Sequence, residues 1–199
     1  MSETARRGPY AKGIVRREQI LKEALLAYAE SDSSGPSLKS IATRVGLTER
    51  GLLHYFASKD ELYVAILAER DATDDVLIDR DAPIEEIATM RSETSRTPGL
   101  VRLFLEMAVA APDITNAANA FFTRRYAGLR AGVALVFART LKNRTGIELP
   151  QADADFAARI LVAASDGLQL QWLLDPTMDM QSDLVRLAKA LQAAPQLAE

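Results

Sequence analysis

Apolar residues along this chain recur every three to four positions, which is the period of an α-helix. The apolar face of the first such stretch is formed by Ile20, Leu21, Ala24, Leu25 and Tyr28. Proline and glycine fall between the periodic stretches, and alternating β patterns are not evident. The pattern therefore predicts an all-α fold with about nine helices.

Turn residues and helix caps divide this pattern into separate helices. In the first part of the chain we expect helices at about 14–31, 38–45, 48–55 and 58–80. Pro83 opens the next helix, and Thr97-Pro98-Gly99 ends it. The remaining expected helices span about 100–111, 114–144, 152–174 and 179–193.

Residues 37–56 have the pattern of two short helices that meet at a glycine. Ser37 is a candidate N-cap, because its hydroxyl can accept a hydrogen bond from the first turn. The apolar face of the first helix is formed by Leu38, Ile41, Ala42 and Val45. Gly46 follows, where a helix end commonly requires a left-handed residue. The pattern predicts a helix-turn-helix motif, whose second helix can lie in a DNA major groove.

The second helix of the pair begins with polar residues and is anchored by apolar ones. Thr48 is its N-cap candidate, and Glu49-Arg50-Gly51 forms its solvent end. The anchoring side chains are Leu52, Leu53 and Phe56. An ordinary helical corner built for folding alone remains the alternative interpretation.

A third helix is predicted to begin directly after this pair. Ser58 and Glu61 have the spacing of a capping box, in which each side chain accepts a backbone N–H hydrogen bond. Lys59 lies among the free N–H groups of this helix start, so the pattern predicts an anion site suited to a phosphate.

This stretch resembles the TetR family of one-component bacterial regulators. The resemblance covers about residues 14–76, and it is most specific in the tail Phe56-x-Ser58-Lys59-x-x-Leu62. It implies an N-terminal three-helix DNA-binding domain and a C-terminal helical domain for ligand binding and dimerisation. It also implies a ligand-responsive repressor that binds a palindromic operator as a homodimer.

The resemblance assigns the recognition helix to about residues 48–55. Contacts with the groove are expected from Thr48, Glu49, Arg50, Gly51 and His54. Contacts with phosphate are expected from Lys39, Tyr55 and Lys59. The chain departs from the family pattern at Arg50, where a small residue is usual, and at Leu53, where a tyrosine often contacts phosphate. Arg50 adds a side chain that can recognise guanine, and Tyr55 or His54 could replace the missing tyrosine.

The resemblance also divides the chain into a basic arm (1–13), the DNA-binding domain (14–76) and a regulatory and dimerisation domain (77–199). A small, largely apolar effector is expected in the last of these. Its candidate contacts are Phe104, Met107, Phe121, Phe122, Tyr126 and Trp172. Such residues at helical spacing also fit an ordinary hydrophobic core.

The last two helices are the predicted dimer interface. Their candidate contact stripe is Phe156, Ile160, Leu161, Ala164, Gly167, Leu168, Gln171 and Trp172. A physical argument favours a dimer, because one short helix reads few base pairs and two half-sites supply the missing affinity. The alternative is a stripe that faces the core of its own chain.

Charge is distributed unevenly. The net charge is −3, but residues 1–60 carry 10 Lys and Arg against 7 Asp and Glu, whereas the rest carries 14 against 20. The basic part therefore coincides with the predicted DNA-binding motif. Five basic residues before the core of the first helix could form an arm that reaches DNA. They are Arg6, Arg7, Lys12, Arg16 and Arg17.

Composition restricts the alternatives. The chain has no cysteine and one histidine, which excludes disulfides, thiol catalysis and multi-histidine metal sites. We therefore expect no cofactor or metal and no enzymatic activity. With no long apolar run and no signal-peptide pattern, a cytoplasmic protein without a membrane span is expected. The alternatives are a helical small-molecule-binding protein and an all-α enzyme, each without DNA binding.

Overall fold

The structure is a computed structural model, and it describes residues 9–31, 34–77, 79, 81–94 and 96–193. Nine α-helices and no strand occur within these ranges. The helices are α1 (Pro9–Glu30), α2 (Leu38–Arg44), α3 (Glu49–Leu53), α4 (Lys59–Leu77), α5 (Ile84–Thr94), α6 (Pro98–Ala110), α7 (Ala117–Thr145), α8 (Gln151–Leu174) and α9 (Met180–Ala193). The predicted all-α fold of about nine helices is confirmed.

Three predicted helix starts were wrong by two residues or more: α7 begins at Ala117, after the Asn116 cap, instead of residue 114, and proline explains the other two. Helix α1 begins at Pro9 instead of residue 14, and α6 begins at Pro98 instead of residue 100. Proline suits the first turn of a helix because its fixed φ is helical and its missing N–H has no partner there. Residues 9–13 of the predicted arm are therefore helical, and the rest of that arm lies outside the described residues.

The first three helices and the start of α4 enclose one apolar core. Its members are Ile20, Leu21, Ala24, Tyr28, Ile41, Ala42, Val45, Leu52, Phe56, Leu62, Ile66 and Leu67. Ile41 and Leu52 have 0% exposure, so the apolar sides of α2 and α3 both face this core. The opposite sides of these two short helices are left for solvent or a ligand.

This core continues into α6 and the start of α7. Gly99, in the first turn of α6, lies so close to α1 that a Cβ atom there would be 3.1 Å from Tyr28 Cδ1. A Cβ at Gly99 would also be 3.1 Å from the Cα of Gly35, a residue with a φ of +71°. A side chain here would require its neighbours to move by a few tenths of an ångström, so glycine suits the close packing of the start of α6 on α1 and on the segment that follows it.

A second core joins the helices farther from α3. It is formed by Ala82, Ile84, Ile87, Val136, Phe137, Ala157, Leu161 and Ala188, from α5, α7, α8, α9 and the segment before α5. Helix α7 carries residues of both cores, so it connects the two ends of the molecule. None of the helices in the described ranges is long and apolar enough to cross a membrane.

Candidate nucleic-acid interface and ligand cavity

The predicted corner between α2 and α3 forms as the sequence indicates. Ser37 Oγ accepts a hydrogen bond from the Ser40 N–H at 3.0 Å, which caps α2. Gly46 has a φ of +68°, so the chain turns there in the left-handed conformation that glycine adopts most readily. These local interactions fix the direction in which α3 leaves the corner.

Helix α3 is short, and its first turn is fixed by a threonine cap. Thr48 Oγ1 accepts a hydrogen bond from the Gly51 N–H at 3.0 Å. A Cβ at Gly51 would lie 3.3 Å from that oxygen, so a larger residue would press against the cap. Gly51 therefore contributes to the shape of the helix start in addition to its predicted place beside the groove.

The polar side of α3 faces solvent. Thr48, Glu49, Arg50 and His54 are exposed, and Gly51 is half-buried. On the opposite side Leu52 has 0% exposure and Phe56 has 3%. The predicted exposed start of this helix and its anchoring by Leu52 and Phe56 are therefore confirmed, whereas Leu53, the third predicted anchor, is half-buried and is not among the residues of the core.

Helix α4 begins with half of the predicted capping box. Ser58 Oγ accepts a hydrogen bond from the Glu61 N–H at 3.0 Å, as predicted. The Glu61 carboxylate accepts from the N–H of Ala57, one residue earlier than the Ser58 N–H that a capping box uses. The same carboxylate also pairs with Arg17, at 3.3 Å.

The expected phosphate contacts lie around the exposed edge of this region. Lys39 and Lys59 are exposed, and Tyr55 is half-buried with its ring edge toward His54. Lys59 Nζ lies 5.1 Å from the centre of the Tyr63 ring, an attraction that keeps the ammonium group at the start of α4.

Three basic residues of the N-terminal half have structural partners instead of facing outward. Arg16 donates to the carbonyl of Val45, and Arg44 pairs with Glu23 at 3.1 Å and with Glu30 at 2.6 Å. Arg17 lies 4.3 Å above the Phe56 ring. The expectation that Arg16 and Arg17 extend as part of an arm was therefore wrong, because both lie on the regular turns of α1.

Other basic side chains in this half remain available. Within the described residues, Lys39 and Arg50 have no acidic group within ion-pair distance. Lys59 likewise lacks an ion pair there and contacts only the Tyr63 ring. Lys39 lies on α2, Arg50 on α3 and Lys59 at the start of α4, so all three belong to the elements that the sequence predicts to contact DNA.

Helix α4 is joined to α7 at two places that the sequence pattern does not indicate. The Asn116 amide caps α7 with its oxygen and donates to Asp60 Oδ2 at 2.7 Å with its nitrogen. Three turns farther along α4, Asp71 Oδ2 accepts a hydrogen bond from Arg125 Nε at 2.7 Å. The helix that begins beside α3 is therefore fixed to α7 near its start and along its length.

The contact between Asp71 and Arg125 belongs to a buried cluster of charges. Asp71 also accepts from Arg70 at 2.9 Å, and both guanidinium groups lie against the Phe104 ring. Burial alone would raise the pKa of Asp71, but the charges of Arg125 and Arg70 and their hydrogen bonds outweigh it and lower the pKa below the usual value.

A second polar pair lies beside this cluster. Tyr126 donates its phenol hydrogen to Asp166 Oδ2 at 2.7 Å, which joins α7 to α8. Burial raises the pKa of Asp166 against the opposing effects of Tyr126 and Arg125. Burial also raises the pKa of Tyr126, and the hydrogen bond to Asp166 raises it further.

Two neighbouring cavities open beside these polar groups. The inner one, here called the recess, has a volume of about 70 Å³ and lies between α5, α7, α8 and α9. The outer one, here called the groove, has a volume of about 790 Å³ and lies between α4, α5 and α7. Their linings share Ile84, Ile87, Arg125, Leu129 and Val133.

Of the six predicted effector contacts, Phe121 lines one of these cavities, the groove. Phe104 has 1% exposure, and it packs with Met107 and Phe122 in the first core. Tyr126 is held by Asp166, and Trp172 is half-buried on α8, but neither lines the recess or the groove. The cavity residues that sequence reasoning missed come mainly from α7, with others from α4, α5 and α8, and the aliphatic ones have the same spacing as core residues.

Residues 20–66 match the family described as "Bacterial regulatory proteins, tetR family". These residues therefore carry a TetR-family domain. The HTH-type transcriptional regulator PksA of Bacillus subtilis (strain 168) is 27% identical to this chain over 166 residues, which are 81% of this chain and 80% of PksA. PksA is named as a transcriptional regulator, not as an enzyme.

Solved structures of transcriptional regulators share the fold of this chain over about nine-tenths of its length. A TetR transcription regulator from Haloarcula marismortui ATCC 43049 has a TM-score of 0.68 at 18% identity, over 90% of this chain and 97% of that one. FadR from Bacillus subtilis, solved in complex with stearoyl-CoA, has a TM-score of 0.60 at 14% identity, over 90% and 99% of the two chains. At these identities the likeness concerns the fold.

Proposed function

We propose that this TetR-family regulator is a ligand-responsive repressor that binds a palindromic operator as a homodimer. The observation that supports the DNA contact is the placement of α3, which exposes Glu49 and Arg50 while Leu52 is fully buried behind them. A helix anchored in this way can enter a major groove without losing its packing. The corner of α2 and α3 supplies the required orientation.

In this proposal the eight predicted DNA contacts act in two ways. Thr48, Glu49, Arg50, Gly51 and His54 face the groove, and Arg50 can donate two hydrogen bonds to the O6 and N7 atoms of a guanine. Lys39, Tyr55 and Lys59 contact phosphates, which gives affinity and register without sequence choice.

Lys59→Ala should weaken binding to all DNA sequences to a similar degree. Because one phosphate contact is lost, the slope of log affinity against log salt should become shallower by about 1 for each protomer. Fluorescence anisotropy with a specific and a random duplex at several salt concentrations measures both effects.

Lys142→Ala is the matched control for this experiment. Lys142 is an exposed lysine near the end of α7, where it pairs with Glu148. Its removal should leave the salt dependence unchanged. A Lys59→Ala protein that keeps the wild-type slope would contradict the assigned phosphate contact.

The proposed dimer uses an exposed apolar stripe along α8. Phe156, Ile160 and Gly167 are exposed and lie on one side of the helix, and Leu174 extends this stripe with 80% exposure. Leu161, which the sequence also assigned to the stripe, has 7% exposure and packs in the second core of its own chain. Leu161 is therefore not part of the exposed stripe, although the sequence pattern included it.

Ile160→Glu should dissociate the dimer, because it places a charge in the middle of an apolar contact. Sedimentation velocity at micromolar concentration should show a dimer for wild type and a monomer for the variant. Val109→Glu is the control, since Val109 has 83% exposure at the far end of α6 and should leave the dimer intact. A monomeric wild-type protein at this concentration would overturn the proposed dimer.

The response to ligand is proposed to pass through α4. This helix begins beside α3 and carries Asp71, which binds Arg125 at the junction of the recess and the groove. Suppose that a ligand binds more tightly when Arg125 is in one of two positions. It would then favour the position of α4 that goes with it, because Asp71 of α4 is bound to Arg125. DNA and ligand would then oppose each other reciprocally. The FadR structure with stearoyl-CoA supports ligand binding by this fold.

A gel-shift experiment tests the proposed function as a whole. Duplexes selected from a random pool should be retained by the wild-type dimer at moderate salt, and an effector should release them. A protein that binds small molecules but retains no duplex even at low salt would instead be a ligand-binding protein without DNA-binding activity.

A further inference from the structure

The recess has an apolar wall with a compact polar end. Twelve residues line it, of which eight are aliphatic, from Ile84 on α5 to Leu184 on α9. The four polar lining residues are Arg125, Ser165, Asp166 and Gln169. Ser165, Asp166 and Gln169 lie within about one turn of α8, and the hydrogen bond from Tyr126 to Asp166 places the neighbouring Arg125 of α7 beside that turn.

Two of these polar residues have a buried atom without a hydrogen-bond partner. Arg125 Nη1 is an unpaired donor, although Arg125 Nε is occupied by Asp71. Gln169 Oε1 is an unpaired acceptor on a residue with 6% exposure. Buried polar atoms in folded proteins are nearly always paired, so an unpaired donor and an unpaired acceptor on two residues that line one cavity call for an explanation.

The charges around the recess are already balanced. Two guanidinium groups, of Arg70 and Arg125, face two carboxylates, of Asp71 and Asp166. Burial raises the pKa of Asp166, and the hydrogen bond from Tyr126 and the charge of Arg125 oppose that rise. An additional charge on a ligand would therefore lack a partner and would lose its hydration.

We propose that the recess binds the polar end of a neutral small molecule that carries a hydrogen-bond acceptor next to an N–H donor, as in a carboxamide or a lactam. The ligand carbonyl would accept from Arg125 Nη1, and the ligand N–H would donate to Gln169 Oε1. The apolar remainder would extend along Ile87 and Leu129 toward the groove, since both cavities share these residues. This inference rests on the proposed function, in which the same site binds the effector.

Three compounds with one apolar chain test this assignment. Hexanamide has the acceptor and the donor, N,N-dimethylhexanamide has the acceptor alone, and hexanoate has a negative charge and no donor. Isothermal titration of the wild-type protein should show hexanamide binding at least about tenfold more tightly than either other compound, since one buried hydrogen bond is commonly worth that factor. Preference for hexanoate, equal affinities, or no binding of hexanamide would each overturn the proposal.

Gln169→Met tests whether Gln169 causes the tighter binding of hexanamide relative to N,N-dimethylhexanamide. Methionine has nearly the shape of glutamine but cannot accept from the ligand N–H, so hexanamide and its dimethyl form should bind within about threefold of each other. Gln151→Met, on the exposed first turn of the same helix, is the control and should keep the wild-type ratio. A Gln169→Met protein with the wild-type ratio would contradict the role of Gln169.

Two further measurements keep the result unambiguous. Gln169→Glu retains an acceptor oxygen and should still prefer hexanamide over the dimethyl form, which tests the role of Gln169 even if the methionine variant fails to fold. Binding of each protein to selected duplexes without compound is measured in parallel. Loss of the amide preference with intact DNA binding overturns this inference alone, whereas absent DNA binding overturns the proposed repressor and leaves the titrations valid.

Discussion

Replacing Asp71 with alanine should lower the free energy of unfolding by about 3–5 kcal/mol, the range for removing one partner of a buried ion pair. The Asp71 carboxylate is the shared partner of Arg70 and Arg125, whose side chains are 9% and 10% exposed. Without it, two positive charges would remain buried and would face each other. Urea denaturation at pH 7 measures the change directly.

The same interaction predicts a pH dependence. The arginines lower the pKa of Asp71 in the folded protein, so its contribution is fully present above the unfolded pKa of about 3.9. That contribution is lost as the pH falls through the folded pKa. Wild type should therefore lose stability below about pH 4 more steeply than Asp71→Ala, because the variant lacks this group.

Asp81→Ala is the matched control for both measurements. Asp81 also pairs with an arginine, Arg139, at 2.9 Å, but its side chain is 96% exposed. Removal of a surface ion pair of this kind typically costs between about 0 and 1 kcal/mol. Equal losses for the two aspartate variants would contradict the structural importance of the buried cluster.

Phe104→Ala should also be strongly destabilising, by about 3–5 kcal/mol. The Phe104 ring has 1% exposure and lies between Phe122, at a ring distance of 5.2 Å, and the guanidinium of Arg125, at 4.9 Å. Its loss would leave a cavity and would remove the aromatic surface on which the buried arginines lie. Urea denaturation again measures the effect.

Leu135→Ala serves as its control, because Leu135 has 70% exposure on the wall of the groove and should change stability by less than about 0.5 kcal/mol. A small loss for Phe104→Ala, together with loss of effector binding, would instead support the sequence-based assignment of Phe104 to the ligand site.

Local signals explain which features could be predicted from the sequence. The caps at Ser37 and Thr48 and the turn at Gly46 act over a few residues, and each forms where its pattern indicates. The exposed side of α3 follows from helical periodicity in the same way. The start of α1 was misplaced because a proline can end a loop or begin a helix, and the residues around Pro9 do not distinguish these cases.

Contacts between distant residues explain what could not be predicted. Arg125 pairs with Asp71 across 54 positions, and no repeat or motif connects them. Core and cavity residues have the same helical spacing, so Phe104 and Ile87 look alike in a sequence although one fills the core and the other borders both cavities. Arg17 likewise belongs to a basic stretch that has the composition of an arm, but its position on α1 places its guanidinium group above the Phe56 ring.

Selection of duplexes from a random pool, carried out with wild type, Arg50→Ala and Arg44→Ala, tests the central claim most directly. Arg50 is exposed without an acidic partner among the described residues, whereas Arg44 is neutralised by Glu23 and Glu30. Wild type should select an inverted repeat with half-sites separated by about 34–36 Å or a multiple of it.

Arg44→Ala should select the same repeat. Arg50→Ala should still bind DNA but should lose the preference for one base pair at symmetric positions, a loss of about 1–3 kcal/mol for each contact. An unchanged consensus for Arg50→Ala, or no enrichment by wild type at low salt, would contradict the claim that α3 recognises DNA as part of a dimer.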